Sequence, residues 1–264
     1  MRFKVWTGLL VAAALLHPAA WGQATKTDIA SDMAPTGTLR AVINLGNPIL
    51  ARQDTTTGEP VGVSVDLARA LAEKLNLPLT LVPVTSAAKS VEFVTQGKAD
   101  IGFFAIDPVR GKGIRYTSAY VLIEGSYLVK QDSPLIDNAE VDQAKHRVVV
   151  GQGSAYDLFL SRELKAAQLV RAPTSPQVVP FFMNGTYDVA AGVKQQLESD
   201  AKQVSGLRLL PGRFMVIEQA MGQPNHASAR AQDALAQFVA DMKSNGFIQN
   251  SLSRHKIEGA TIAP

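Results

Sequence analysis

Gly97-Lys98-Ala99-Asp100 precedes the apolar run Ile101 to Ala105, and this order recurs 88 residues later. There Gly185-Thr186-Tyr187-Asp188 precedes the small and apolar run Val189 to Val193. Glycine among polar residues is typical of a turn, and a short apolar run after it is typical of a buried strand. The recurrence predicts two units of like topology within one chain.

The sequence before each turn strengthens the prediction of a repeat. Asp66-Leu67 opens a helical pattern in the first half, and Asp157-Leu158 opens one in the second. The strand-like runs Leu79 to Val84 and Leu169 to Ala172 follow at corresponding places. Strands alternating with helices predict an α/β fold with largely parallel sheets covered on both faces.

Apolar periodicity predicts two of the helices directly. Leucines recur every four residues from Leu67 to Leu75, and Asn76 stands where that helix is expected to end. Near the C-terminus, apolar side chains over residues 235–242 have helical spacing, and Gly246 suits the cap that ends the helix. This last helix has no counterpart in the first half.

The first 24 residues have the pattern of an export signal. Arg2 and Lys4 supply a basic start, and the apolar run Gly8 to Leu16 is too short to span a bilayer. We predict a signal peptide over residues 1–24, a linker over residues 25–37 and a mature chain in the periplasm. Because the chain has no cysteine, a lipoprotein is not expected.

Composition argues against several classes of function. The absence of cysteine excludes disulfides, cysteine-ligated zinc and thiol catalysis. The formal charge of +3 includes two basic residues of the predicted signal, and no Lys/Arg cluster typical of nucleic-acid binding remains. The sequence has no serine-nucleophile elbow and no paired-histidine metal motif, so no metal or other cofactor is expected.

Six short motifs, taken in order, resemble those of one known family. The motifs are Gly37-Thr38-Leu39-Arg40, Gly62-Val63-Ser64-Val65-Asp66-Leu67-Ala68, Gly97-Lys98-Ala99-Asp100-Ile101, Asp107-Pro108-Val109-Arg110, Tyr116-Thr117-Ser118-Ala119-Tyr120 and Val149-Val150-Gly151-Gln152-Gly153-Ser154. By their order and spacing, the chain resembles the family 3 extracellular solute-binding proteins, the polar amino-acid receptors of ABC importers. The resemblance covers roughly residues 36 to 257.

The resemblance implies a type II periplasmic-binding-protein fold, in which two α/β lobes with mostly parallel sheets close on a ligand about a hinge. It implies a first lobe from residues 38–128 plus 218–264 and a second lobe from residues 129–217. The chain would cross between lobes near Tyr127 to Lys130 and Glu218 to Met221. The implied partners of this monomer are a small anionic or zwitterionic solute and an ABC permease at the inner membrane.

Two features predict an anion site in the cleft. The resemblance places Arg110 at the position of the arginine that grips the ligand carboxylate, and a guanidinium offers two parallel donors to such a group. In the second lobe, the loop Gly151 to Ser154 follows an apolar strand and precedes a helix, where backbone N–H groups favour an anion. Tyr156 replaces the third glycine of a dinucleotide fingerprint, which argues against a nucleotide site.

Other positions depart from the pattern of an amino-acid receptor. Val193 stands where the family normally has an aspartate that pairs with the α-ammonium group. Ala105 replaces a usual Ser or Thr, Asp107 replaces a usual Thr, and the segment around Asn47 lacks the usual aromatic residue. Because burying an ammonium group without a carboxylate partner is costly, these departures favour a carboxylate ligand without an α-amine.

Two acidic residues allow alternative predictions: a ligand that carries an amine, or an enzyme instead of a binding protein. Glu124 and Glu218 lie close to the expected crossings, where either could face the cleft and hold an ammonium group. A carboxyl in a desolvated cleft is also what a cyclohexadienyl-dehydratase-like enzyme would need on this fold. We favour a binding protein without catalytic residues. The predicted ligand-binding residues are Asn47, Phe103, Ala105, Asp107, Arg110, Glu124, Gly153, Ser154, Ala155, Val193 and Glu218.

Overall fold

The computed structural model describes residues 26–264, and the predicted signal peptide over residues 1–24 lies outside them. The helices are α1 Lys26–Met33, α2 Val63–Leu75, α3 Ala87–Thr95, α4 Ala155–Glu163, α5 Val178–Met183, α6 Lys194–Gln203, α7 Ala229–Ser244 and α8 Phe247–Arg254. The strands are β1 Leu39–Asn44, β2 Arg52–Gln53, β3 Pro60–Val61, β4 Leu79–Val84, β5 Gly102–Ala105, β6 Ile114–Lys130, β7 Arg147–Gly151, β8 Gln168–Ala172, β9 Val189–Val193, β10 Leu207–Leu209, β11 Met215–Pro224 and β12 Thr261–Ile262. Within this described range, no helix is both long and apolar enough to cross a membrane.

The segment predicted as a linker, residues 25–37, is mostly helical instead. Helix α1 occupies it, and Met33 at its end is buried in the first-lobe core. Asp32 accepts hydrogen bonds from Ser228 and Arg230 at the start of α7. The polar composition suggested a linker, but these contacts with the rest of the lobe stabilise a helix that is too short to be stable alone.

Periodicity and capping place the first-lobe helices where the sequence predicts them. Helix α2 buries Leu67 and Leu71, and Asn76 ends it in the left-handed conformation with a φ of 54°. The side chain of Ser86 caps α3 by accepting a hydrogen bond from a backbone N–H. Gly246 follows directly after the cap of α7 and is the N-cap residue of α8, a short helix that the sequence pattern does not predict.

The sheets are parallel within each lobe and are joined by antiparallel strands. In the first lobe, β1 pairs in parallel with β4 and is bridged to the residue before β5. In the second lobe, β7 lies parallel to both β8 and β9. Strand β11 pairs antiparallel with β5 and β6, and β6 pairs antiparallel with β9. The two-lobe α/β fold is confirmed, and its sheets are more mixed than expected because the chain crosses between lobes once in each direction.

Strand β6 is long enough to belong to both lobes. Its residue Ile123 packs in the first-lobe core, whereas Tyr127 packs in the second-lobe core. On the return, Met215 contacts both cores and Ile217 lies in the first. The chain therefore changes lobe between Ile123 and Tyr127 and again near Met215, slightly before the expected crossings. This short double connection brings the two lobes face to face.

Candidate ligand-binding cleft

A cleft between the two lobes encloses about 810 Å³, part of which is open to solvent. The carboxyl ends of β1, β5 and β9 reach it, and the first turn of α4 closes it from the second lobe. Binding sites in α/β folds occur at such strand ends. The lining residues are Asn44, Gly46, Asn47, Pro48, Leu50, Ser64, Ala87, Phe103, Phe104, Ala105, Arg110, Ser154, Ala155, Tyr156, Ser175, Val178, Gly192, Val193, Gln196, Leu197, Asp200, Ile217 and Gln219.

Most of the predicted ligand-binding residues meet in this cleft. Those that line it are Asn47, Phe103, Ala105, Arg110, Ser154, Ala155 and Val193. Gly153 lies at its edge, where its carbonyl oxygen accepts a hydrogen bond from Arg110. Asp107, Glu124 and Glu218 are not among the lining residues. That the lining residues bind a ligand stays a prediction.

Arg110 is a buried cation on the cleft wall. Its Nη1 donates to the Ala105 carbonyl oxygen at 3.3 Å, and its Nη2 donates to the Gly153 carbonyl oxygen at 2.9 Å. Among the described residues it forms no salt bridge, and burial lowers the pKa of its guanidinium from the usual value. A buried guanidinium held only by neutral carbonyl groups favours an anion in the cleft.

Asp107 supports Arg110 from behind and does not face the cleft. One carboxylate oxygen accepts from the N–H groups of Val109 and Arg110, at 2.8 and 3.3 Å, and so shapes the turn that carries the arginine. The other oxygen accepts from Nη1 of Arg162 in α4 at 3.0 Å. The expectation that Asp107 contacts the ligand is therefore corrected. Both of its carboxylate oxygens already accept hydrogen bonds, one within this turn and the other in an ion pair between the lobes.

The pair between Asp107 and Arg162 is expected to hold the closed arrangement of the lobes. We expect Arg162→Ala to weaken ligand binding by about threefold to tenfold, because a partly exposed ion pair contributes modestly to closure. Isothermal titration calorimetry measures the change, with Lys202→Ala as the control: this exposed lysine lies in the same lobe, and no ion pair is recorded for it in the described part of the chain. Equal affinity of both variants and the wild type would remove the role of the pair in closure.

The glycine loop before α4 differs from its predicted role. The N–H groups of Gln152, Gly153 and Ser154 all donate to acceptors within the second lobe. The Ser154 side chain caps α4, as the sequence suggests. This leaves the first-turn N–H groups of Ala155 and Tyr156, which also line the cleft. Of the N–H groups in the predicted anion site, those at the start of the helix are therefore available and those of the loop are not. The helix dipole also favours an anion there, and the anion site stays a prediction.

Val193 keeps the position of the missing aspartate apolar. It ends β9, precedes α6 and packs against both lobe cores. Across the cleft, Ala105 pairs in register with Gln219 of β11, a buried residue that also lines the cleft. At the Val193 position, the described part of the wall therefore offers an apolar side chain in place of a carboxylate for an α-ammonium group.

Neither glutamate near the crossings faces the cleft, which corrects that expectation. Glu124 bonds to Arg213 and to Lys194, the latter at 3.2 Å, and these hydrogen bonds hold the pKa of its carboxyl below the ordinary value. Glu218 is exposed, because its neighbours Ile217 and Gln219 point inward and strand side chains alternate. Within the described residues, no group of three or more His, Asp or Glu side chains could hold a metal ion.

The cleft also contains polar residues that the sequence does not predict, and three of them are important for its chemistry. Gln196 and Asp200 line it from α6, and Gln219 lines it from β11. Helical spacing from Val193, at i+3 and i+7, could have indicated the first two, and the alternation along β11 could have indicated the third. Gln196 donates to a carboxylate oxygen of Asp200 at 2.7 Å, and burial raises the pKa of that carboxyl from its ordinary value.

Comparison with known proteins identifies a family whose model matches this chain and several solved structures of similar fold. The model of the bacterial extracellular solute-binding proteins, family 3, matches residues 24–256. The solute receptor for L-cysteine of Neisseria gonorrhoeae is 20% identical, with a TM-score of 0.76 over 88% of this chain and 94% of that chain. An amino acid ABC transporter substrate-binding protein of Streptococcus pneumoniae, bound to L-arginine, is 19% identical, with a TM-score of 0.73 over 84% and 96%.

A third similar structure is an ancestral amino acid-binding protein, a precursor of cyclohexadienyl dehydratase. It is 19% identical, with a TM-score of 0.72 over 85% of this chain and 97% of that chain. No curated protein sequence matches the chain. At these identities the similar structures establish the fold of the chain. The nature of its ligand must be inferred from the residues that line the cleft.

Proposed function

The chain belongs to the bacterial extracellular solute-binding proteins of family 3, and from this premise we propose that it captures a small carboxylate-bearing solute for an ABC importer. The solute would be enclosed between the lobes. The ABC permease at the inner membrane would receive it from the closed protein, which acts as a monomer in the periplasm. The export pattern of residues 1–24 supports this location.

The observation that carries the proposal is the buried guanidinium of Arg110. It reaches the cleft from the first lobe, and its recorded partners are two carbonyl oxygens. Opposite it, the first turn of α4 presents the N–H groups of Ala155 and Tyr156. A carboxylate between them would receive charge-assisted hydrogen bonds from both lobes. Binding would therefore favour closure, because only the closed arrangement supplies both sets of donors.

The remainder of the cleft suits a small organic solute. Leu50, Phe103 and Ile217 supply apolar wall, while Ser64 and Gln219 supply hydrogen-bonding groups. A mostly apolar cavity with a few polar groups is typical of small-molecule sites. We propose that these residues select the part of the ligand that lies beyond its carboxylate.

A dehydratase-like enzyme is the second candidate, because the ancestral protein of similar fold precedes such an enzyme. The two glutamates near the crossings do not enter the cleft: Glu124 is ion-paired and Glu218 points outward. The carboxyl that does line the cleft belongs to Asp200. We favour the binding protein, because the family is one of solute-binding proteins and the cleft wall opposite Arg110 offers donors for an anion.

Thermal unfolding in the presence of carboxylates and amino acids tests the proposal. A ligand that binds only the folded state at a hundred times its Kd adds about 2.7 kcal/mol to the free energy of unfolding, which raises the melting temperature. Prephenate and arogenate are included and assayed for turnover. Stabilisation without turnover supports the binding protein. Turnover would support the enzyme, and no stabilisation by any anion would remove the proposed clamp.

A further inference from the structure

Asp200 gives the cleft a second charged end. One face of α6 lines the cleft, beginning with Val193 at its N-cap and continuing with Gln196, Leu197 and Asp200. Their spacing is that of residues on one side of a helix. Asp200 stands seven residues beyond Val193, which corresponds to about 10 Å along a helix. The carboxylate that is missing at Val193 is thus present two turns further along the same wall.

Among the described residues, the half-buried side chain of Asp200 forms no ion pair, in contrast to three more deeply buried aspartates. The buried carboxylates of Asp100, Asp107 and Asp157 pair with arginines at 2.6, 3.0 and 3.0 Å, respectively. Asp200 is half-buried, and in the described part of the chain its side chain has a hydrogen bond from Gln196 but no ion pair. A half-buried carboxylate with one neutral partner leaves acceptor capacity for a cationic group in the cleft.

Besides Gln196, the second-lobe wall of the cleft that carries Asp200 includes aliphatic side chains. Val178 and Leu197 both line the cleft and pack together in one core cluster of the second lobe. Apolar side chains there favour methylene groups over polar substituents. The cleft therefore has a cationic end at Arg110, an anionic group at Asp200 and aliphatic wall beside the latter.

We propose that Asp200 is the counter-ion of a protonated amine in the ligand, and that an aliphatic chain separates this amine from the carboxylate at Arg110. The inference rests on the proposed function, since it takes the carboxylate site as given. It names the substrate class as aliphatic aminocarboxylates with a distal amine. An α-amine alone would lie beside apolar Val193 and would not reach Asp200 when the carboxylate is bound at Arg110.

Calorimetric titration of matched ligand pairs tests this assignment. The probes are 4-aminobutanoate, 5-aminopentanoate and 6-aminohexanoate, each compared with the same acid lacking the amine. The proteins are the wild type, Asp200→Asn and Glu198→Gln, a control that removes an equal charge from an exposed position of α6. We expect the wild type and the control to bind at least one aminated ligand about 10- to 100-fold more tightly than its partner. Asp200→Asn should lose this preference while keeping its affinity for the unaminated acid.

The outcomes separate the inference from the function on which it rests. An amine preference that survives Asp200→Asn overturns the inference, as does binding of unaminated acids alone, and both leave the carboxylate clamp intact. If no acid or amino acid binds the wild type, both the inference and the proposed function fail. Acidification supplies a second readout: protonation of Asp200 should erase the preference in the wild type, and a preference independent of pH would count against the ion pair.

Discussion

Arg110→Ala is expected to lower the affinity for the carboxylate found by thermal unfolding by about 100-fold to several thousand-fold. Removing one member of a buried, hydrogen-bonded charge pair costs about 3 to 5 kcal/mol. The alanine also removes the hydrogen bond to Gly153, which links the first lobe to the second. Arg110→Lys should bind with intermediate affinity, because it keeps the charge and loses the paired donors. Isothermal titration calorimetry measures all three proteins.

The matched control is Arg115→Ala, an exposed arginine that does not line the cleft. It should bind as the wild type does. Without ligand, Arg110→Ala should stay folded, because relief of the buried guanidinium charge offsets part of the two hydrogen bonds that the alanine removes. This stability separates lost binding from lost folding. A folded Arg110→Ala protein with wild-type affinity would contradict the assignment of the carboxylate site.

Gly62→Ala is expected to destabilise the fold by about 3 kcal/mol or more. Gly62 has a φ of 132° and a ψ of 178°, which only glycine adopts readily, and it precedes the first residue of α2. An added Cβ would clash with the Leu50 carbonyl oxygen and would lie 2.9 Å from the Cα of Ala51. Since both neighbours are backbone atoms, the loop at Leu50 must move, and that loop forms part of the cleft wall.

Gly97→Ala shows the cost of a positive φ at a position without such a close contact. Gly97 also has a positive φ, 68°, but an added Cβ would have no neighbour within 4 Å. It should cost about 1 kcal/mol, the strain of a left-handed residue alone. Urea denaturation measures both variants. Equal losses for the two glycines would show that the contact at Leu50 relaxes freely and would contradict the larger effect.

The elements of the fold are predictable where local signals agree. The strand Leu79–Val84 and the strand Val189–Val193 match the sequence pattern residue for residue, because apolar runs between turns leave few alternatives. Helix α1 is not predictable in this way, since its stability depends on contacts with α7 about 200 residues away. The direction of sheet pairing also depends on the crossing strands, which local periodicity does not encode.

Some residues of the site can be predicted from sequence motifs, whereas others can be identified only in the folded structure. Arg110 follows from a motif, and the structure brings it to the cleft. Glu218 shows the limit of proximity in sequence: it lies between two cleft residues and points away, because the strand alternates. Asp200 lies on a helix that no motif identifies, and its relation to the cleft depends on how α6 packs after β9.

Because strand β6 is shared by both lobes, the two lobes can fold in a particular order. The second-lobe clusters draw their buried residues from one continuous segment that starts at Tyr127 and ends at Leu210. The main first-lobe cluster needs Met33 to Ile123 and also Ile217 to Leu252. A chain that becomes available from its N-terminus can therefore finish the later lobe first. Until β11 arrives, the first-lobe half of β6 has an open edge, and there the unfinished chain is exposed to pairing with the wrong strand.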